Sequence, residues 1–505
     1  MASSRNSVPG DGLGRSLHAR LSADVPPPSP LSRGVKGDSC SGAGNRTEDQ
    51  NRETVRDLQN TSLSPVPAVI AAALAEFVAP GARIAVALSG GIDSMVLLDA
   101  LAPFAAHHPF MLSAVHVNHG LSPNSARWAQ FCAEQCAARG VPLTIARLEL
   151  KREPGASLEA LARSARYERL KAAEADVVAL AHHADDQAET VLLQLLRGAG
   201  PRGLSAMPRF HAGKPALLRP LLELTRSTLA EYAAARGLAW IDDESNAETR
   251  HRRNLLRHTV APLLAKYFPG YPATLVRAAA HQAEASILLD ELAAHDGVGA
   301  YDARALDRAR LAALSPVRAR NLLRWFLRRE GLRPPSQTRL SEMLRQLVQA
   351  ADDAKVSIGH AGREIGIHRG RIRVHAVPPA PYVRLWHGEP ELHLPGGTLA
   401  FDRVRGTGLC VEKLLQAPVT LRSRAGGERM QLAANRPHHA VKKLLQQAGL
   451  PQWEREALPL LWCGDELAAI PGIGVTVAFQ AVRDAAGWEL AWRPDALVDP
   501  RGAPG

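Results

Sequence analysis

Hydrophobic positions along this chain follow two rhythms. From about residue 66, short apolar runs bounded by turn-forming residues alternate with longer stretches whose apolar positions recur at helical spacing. The runs at 84–88, 112–117, 143–148 and 177–181 read as buried strands. Helical stretches at 123–139 and 157–174 separate the later ones, and a short helix at 69–77 precedes the first. Strands alternating with helices predict an α/β fold, a doubly wound parallel sheet covered on both faces. In such sheets ligands bind beyond the carboxyl ends of the strands.

After this block, expected to span 66–270, the rhythm changes. Residues 271–350 are helical and rich in Ala, Leu and Arg, predicting a mainly helical central domain over 271–385. Within it, Leu322, Leu323, Phe326 and Leu327 form one apolar face, with arginines on the others, which reads as a solvated amphipathic helix in preference to a direct RNA contact. Alternating residues at 365–375 read as strands, and the proline-rich 377–381 as a linker. A small α+β domain is expected over 388–497. Residues 1–62 carry no apolar periodicity and read as a disordered extension, unable to offset ordering entropy by burial.

At 505 residues the chain is too long for one core, and 46% apolar with 22% charged residues fits a globular protein. No apolar run reaches the length of a membrane span and no signal peptide opens the chain, so a cytoplasmic location is expected. Its charge of +11 suits a polyanionic partner such as RNA, although Arg- and Ala-rich coding from a GC-rich genome gives the same excess. Five cysteines form no CxxC pair, which argues against a metal knuckle. Cys132 and Cys136 lie four apart on an expected helix and read as packed small apolar residues.

The chemistry starts at Ser89-Gly90-Gly91-Ile92-Asp93-Ser94, between the first strand and an apolar helix. Such a turn aims backbone N–H groups and a helix N-terminus at one spot, which suits phosphate. No Gly-Lys-Ser/Thr follows, so it is not the phosphate loop of kinases and GTPases. A second constellation, residues 182–190, follows the fourth strand. There Asp186 and Glu189 are spaced to share a helix face and, with Asp93, to offer hard oxygen ligands to Mg²⁺. His182 could bind phosphate or orient a reacting group. Further on, Glu159, Arg163 and Arg166 form either a phosphate contact or an ion-paired face. An acidic cluster at 242–244 then precedes a cationic stripe of Arg250, Arg253 and Arg257 that favours phosphate contact.

These elements, in this order, resemble the bacterial tRNA(Ile)-lysidine synthetase family, members of the PP-loop ATP pyrophosphatase superfamily. The resemblance rests on residues 89–94, on 115–121 (VHVNHGL), on 182–190 (HHADDQAET), on 218–221 (LRPL), and on 243–246 with 253–254. It continues through 422–429, 441–445 and 451–455, and covers about 66–497. Ser122 departs from it, where arginine would be expected.

The resemblance implies a carbon–nitrogen ligase that uses ATP and Mg²⁺. Its substrates would be free L-lysine and the wobble cytidine of a tRNA(Ile) with a CAU anticodon, by way of an adenylated base. Residues 89–94 would hold the nucleotide. Asp93, His182, Asp186 and either Arg219 or Arg253 would act in catalysis, with Mg²⁺ on Asp93, Asp186 and Glu189. Arg250, Arg257, Arg422, Arg424, Arg429, Lys442 and Lys443 would contact RNA. Both monomer and homodimer remain open. The rival readings are a PP-loop tRNA thiolase, which would need reactive cysteines, an amidotransferase-type ligase, which would need a glutaminase domain, and a non-catalytic RNA-binding protein.

Overall fold

The computed structural model describes residues 64–120, 122–148, 158–242, 252–351 and 356–495. The first 62 residues, and with them the expected disordered extension, lie outside this set.

The α/β block is built on a six-stranded sheet in the order β3-β2-β1-β4-β6-β5. Its strands are β1 (Arg83–Ala87), β2 (Met111–Asn118), β3 (Leu143–Arg147), β4 (Val177–Ala179), β5 (Phe210–His211) and β6 (Ala216–Leu218). All pairings are parallel except that of the edge strand β5 with β6. The doubly wound sheet is therefore present, with a short antiparallel edge added to it.

Among the helices that accompany these strands are α1 (Val66–Phe77), α2 (Ile92–His107), α3 (Ser125–Ala137), α4 (Leu158–Lys171), α5 (Ala184–Leu196), α6 (Arg226–Ala235) and α7 (Tyr271–Gly297). Alternation along the strands decides which residues meet which helices. Ile84, Val86 and Leu88 turn toward the core shared with α1, α2, α3 and α6, while Ala85, Val115, Val178 and Leu217 pack with Leu170 of α4. Helix α2 is buried nearly all round; Met95, Val96, Leu97, Leu98 and Leu101 are fully enclosed.

One buried charge interrupts that apolar helix. Asp99 is matched by Arg139 at 3.0 Å, Arg236 at 3.2 Å and the Tyr232 hydroxyl at 3.0 Å. An unpaired carboxylate there would be costly, so these partners hold α3 and α6 against α2.

The sheet's winding reverses between β1, which leads on to β2 and β3, and β4, which leads to β6. The crevice above the carboxyl ends of β1 and β4 is the switch point where ligands bind in open α/β sheets. Residues 89–94 follow β1 and residues 182–190 follow β4, so both sequence motifs border it.

Helix α7 runs on from this block, packing on α5 and on α8 (Pro316–Arg329). On α8, Leu322, Leu323, Phe326 and Leu327 are buried as expected. Its arginines are not simply solvated. Arg318 pairs with Asp296 and Arg328 with Asp290, both on α7. The central region is less helical than expected, because a five-stranded sheet drawn from 301–376 packs against α8 and α9 (Gln337–Gln349).

The C-terminal region holds a five-stranded and a four-stranded antiparallel sheet. Strand Val383–Leu385 pairs with Val419–Arg422, so part of the chain before 388 folds with these sheets. Short helices join them, among them α10 (Val441–Gln447). Trp453 stacks on His375 of the central sheet with centroids 4.2 Å apart, and Gly366 makes room for both rings. Among the described residues, no helix is long and apolar enough to cross a membrane.

Candidate active site

The loop after β1 is shaped by two demands on Gly90. Its φ is +89°, and a Cβ there would lie 2.8 Å from Ile241 Cδ1 and 3.2 Å from Cys132 Sγ. Only glycine meets both. Ile241 N–H donates to the Gly90 carbonyl at 2.9 Å, closing the loop from the far side. Ser94 is 3% exposed and braces the loop. Its Oγ accepts from Gly90 N–H at 3.1 Å and donates to the Gly91 carbonyl at 2.9 Å. Ser89 remains exposed, and Ile92 and Asp93 form the first turn of α2 with Gly91 as its cap.

Across the crevice, α5 starts at His183, whose N–H donates to Asp186 Oδ2 at 3.2 Å. The His183 ring is 2% exposed and central to a group of carboxylates. Nε2 lies 3.4 Å from Asp186 Oδ2 and 3.7 Å from Asp93 Oδ2, and Nδ1 lies 3.5 Å from Asp185 Oδ2. Burial opposes a charge on this ring, but the three carboxylates outweigh it and hold its pKa above the ordinary histidine value. His183 thus links the two motifs. Its neighbour His182 was the expected functional histidine; His183 is marked in the sequence only by its place as cap three residues before Asp186.

His182 is different. Burial, reinforced by the nearby cations Arg219, Arg253 and Arg166 and only partly opposed by Asp186, pushes its pKa down to about 3. It is neutral at physiological pH, and its buried Nδ1 has no hydrogen-bond partner in the structure. Arg219, 6% exposed, donates from Nη1 to the Pro208 carbonyl at 2.8 Å. Arg219 and Arg253 thus both help to keep His182 uncharged.

Asp186 and Glu189 do share a face of α5, as their spacing predicts, but that face meets guanidinium groups. Arg253 donates from Nε to Glu189 Oε2 at 2.7 Å and from Nη2 to Asp186 Oδ1 at 3.0 Å. Arg257, one turn on, donates from Nε to Glu189 Oε1 at 2.6 Å and from Nη2 to Asp186 Oδ1 at 2.9 Å. Burial alone would raise the Asp186 pKa; His183, Arg253, His182 and Arg257 reverse this and bring it to about 2.

This pairing bears on the expected Mg²⁺ ligands. Both Glu189 oxygens and Asp186 Oδ1 are occupied by charged hydrogen bonds, and no group of three His, Cys, Asp or Glu among the described residues is arranged to hold a metal. Asp93 alone fits the role. Its Oδ1 is buried and without a hydrogen-bond partner, and burial raises its pKa, as for a carboxylate awaiting a cation. One carboxylate plus phosphate oxygens is an ordinary Mg²⁺ environment.

Other expectations divide. Arg250, the acidic residues 243–244, and the side chains of Glu159 and Arg163 lie outside the described residues. Cys132 and Cys136 are fully buried, and burial pushes their thiols up to about 12 and about 11. They are packed core residues, as expected. In the C-terminal region, Arg422 is held by the Gly464 carbonyl at 2.7 Å, by Thr420 Oγ1 at 2.8 Å and by the Trp462 ring at 5.0 Å. Arg424 is largely covered, with Nε 3.7 Å from Glu428. Arg429 is exposed on a two-stranded ribbon that pairs it with Ala440, one residue before α10 carries the exposed Lys442 and Lys443. The ribbon brings those three cations together.

A strand–glycine loop–helix facing a second acidic helix start across the switch point defines the PP-loop class of ATP-using domains. The PP-loop domain family matches residues 66–264, the TilS substrate binding domain 306–373, and the TilS substrate C-terminal domain 419–492. A tRNA(Ile)-lysidine synthase of Nitrosomonas europaea is 44% identical over 431 residues, covering 83% of this chain and 94% of its own length. Those of Chromobacterium violaceum and Coxiella burnetii are 43% and 38% identical, each over 81% of this chain and 95% and 93% of their own. The chain belongs to the tRNA(Ile)-lysidine synthase family.

Proposed function

We propose that the protein attaches L-lysine to C2 of the wobble cytidine of a CAU-anticodon tRNA(Ile), consuming ATP in the cytoplasm. Similarity to enzymes of that name over four-fifths of the chain is the observation that carries the reading. In the first step the cytosine 2-oxygen attacks the α-phosphate of ATP, and the bond to the β-phosphate breaks to release pyrophosphate. In the second the lysine amine bonds to C2 of the adenylated base, AMP leaves with the former 2-oxygen, and the amine gives up a proton.

The residues divide this work. N–H groups at the start of α2, with the Ser89 hydroxyl, hold the leaving pyrophosphate. Asp93 Oδ1 would hold Mg²⁺ together with phosphate oxygens, and the ion would neutralise charge on the leaving group. Asp186 and Glu189 act as orienters, holding Arg253 and Arg257 where a guanidinium stabilises phosphate charge as it develops. His182, kept neutral by burial and by Arg219 and Arg253, supplies an uncharged hydrogen-bonding group. Arg429, Lys442 and Lys443 contact the tRNA backbone and set its position without reading sequence. Two substrates placed in succession need no covalent enzyme intermediate.

The test incubates the full chain with ATP, radiolabelled lysine and the CAU tRNA. Label must enter RNA only when ATP is present; no incorporation by folded protein overturns the assignment. Asp93→Ala is expected to abolish incorporation while tRNA binding persists.

A further inference from the structure

Beside the ion-paired arginines lies an open apolar groove of about 520 Å³, within the ordinary range of small-molecule clefts. Leu192, Leu264, Tyr267, Phe268, Tyr271 and Leu275 line it. Leu192 is three residues after Glu189 on α5, so the groove begins one helical turn from the catalytic face. Tyr267 and Phe268 are 63% and 64% exposed, in a protein whose aromatic residues number only 5%. They stand at the turn between the helix Ala261–Tyr267 and α7, where Phe268 N–H donates to the Leu264 carbonyl and Tyr271 N–H to the Phe268 carbonyl.

Two adjacent exposed rings are a poor surface to leave in water, and their surroundings indicate what covers them. Lys266 lies 5.3 Å above the Tyr267 ring, and the same segment carries Arg252, Arg253 and Arg257. Aromatic faces set among cations, continuous with a site that takes nucleotide phosphates, match the flat rings and charged backbone of single-stranded nucleic acid. A base can react at its 2-oxygen only after leaving the stack, and turning it out also strips its neighbours of a stacking partner.

We infer that this groove receives the bases flanking the target cytidine, with Tyr267 and Phe268 as the stacking platform. The inference rests on the proposed reaction for the identity of the RNA. It adds a base-binding surface that the phosphate chemistry does not require.

The experiment compares binding of the CAU tRNA(Ile) transcript to the full chain, to Tyr267→Ala/Phe268→Ala, and to Tyr267→Trp/Phe268→Trp. Intact RNA is tested beside RNA with abasic sites flanking the wobble position. Stacking on one or two rings predicts that the double-alanine variant binds about 5- to 100-fold more weakly. The double-tryptophan variant should stay near wild type, binding of a non-hydrolysable ATP analogue should be unchanged, and abasic RNA should erase the difference between proteins. Affinity of the double-alanine variant within twofold of wild type overturns the inference. If that variant instead loses self-association in sedimentation with RNA affinity unchanged, the groove faces a second copy of the chain and the inference fails. Ring-dependent binding without lysine incorporation by wild type would retain the groove and refute the reaction. Normal incorporation by the double-alanine variant with an unchanged KM for tRNA would do the reverse.

Discussion

Arg257 Nε donates to Glu189 Oε1 at 2.6 Å, joining residues 68 positions apart across the mouth of the nucleotide crevice. Glu189 is 6% exposed at its side chain and Arg257 27%, so the pair sits where solvent screens it only in part. Removing one member strands the other, which costs more than the pair contributes. Glu189→Gln and Arg257→Gln should each destabilise the protein by about 2–4 kcal/mol. The double variant should fall well short of their sum in a denaturant cycle. Additive losses would mean that the two residues do not depend on each other. Glu189→Gln should also slow lysine incorporation at least tenfold with little change in ATP affinity, because the guanidiniums lose their anchor.

Acid should weaken the same cluster. Asp186 has a folded pKa near 2, below the usual value of 3.8, so its stabilising effect is complete above about pH 4 and is lost as pH falls toward 2. The shift corresponds to roughly 2 kcal/mol. Melting temperatures of wild type should therefore drop more steeply between pH 4 and pH 2.5 than those of Asp186→Asn. Parallel curves would refute the ion pairing.

Gly90→Ala tests the loop geometry directly. The variant must place a Cβ at φ +89° and within 2.8 Å of Ile241. A loss of about 1–3 kcal/mol is expected, with ATP-analogue binding weakened at least tenfold, while Gly140→Ala, at φ +64° with open space around it, keeps normal nucleotide binding. Calorimetry on both variants separates strain in general from strain at this loop.

The cysteines offer the opposite kind of test. With thiols pushed up to about 12 and about 11, Cys132 and Cys136 carry almost no thiolate at neutral pH. Thiol reagents should modify them only on unfolding, and Cys132→Ala/Cys136→Ala should retain lysine incorporation at some cost in melting temperature. Loss of activity in a folded double variant would revive the thiolase reading.

What could be read from the sequence, and what could not, follows from the range of each interaction. Ile84–Leu88 and Val177–Leu180 announced themselves because parallel strands buried on both faces are continuous apolar runs. The glycine loop was legible because its geometry is local: Gly90 answers to its own φ and its close neighbours. Asp186 and Glu189 were correctly placed on one face, since helical spacing fixes that. Their partners were not foreseen as partners, because Arg253 and Arg257 reach them only after the chain has folded back. A metal was assigned to carboxylates that cations already satisfy. Strand β6 escaped because Ala216–Leu218 is too short to stand out before the apolar residues that follow it.

Helix α7 has a mechanical meaning. Its 27 residues span about 40 Å, and it is gripped along its length by α5 near the crevice and by α8 in the central region. The interval between the catalytic crevice and the central sheet is thus set by helical rise, in steps of about 1.5 Å, and not by a slack tether. Adding or removing one residue in this helix would therefore shift the central sheet about 1.5 Å along the axis and turn it about 100° relative to the crevice.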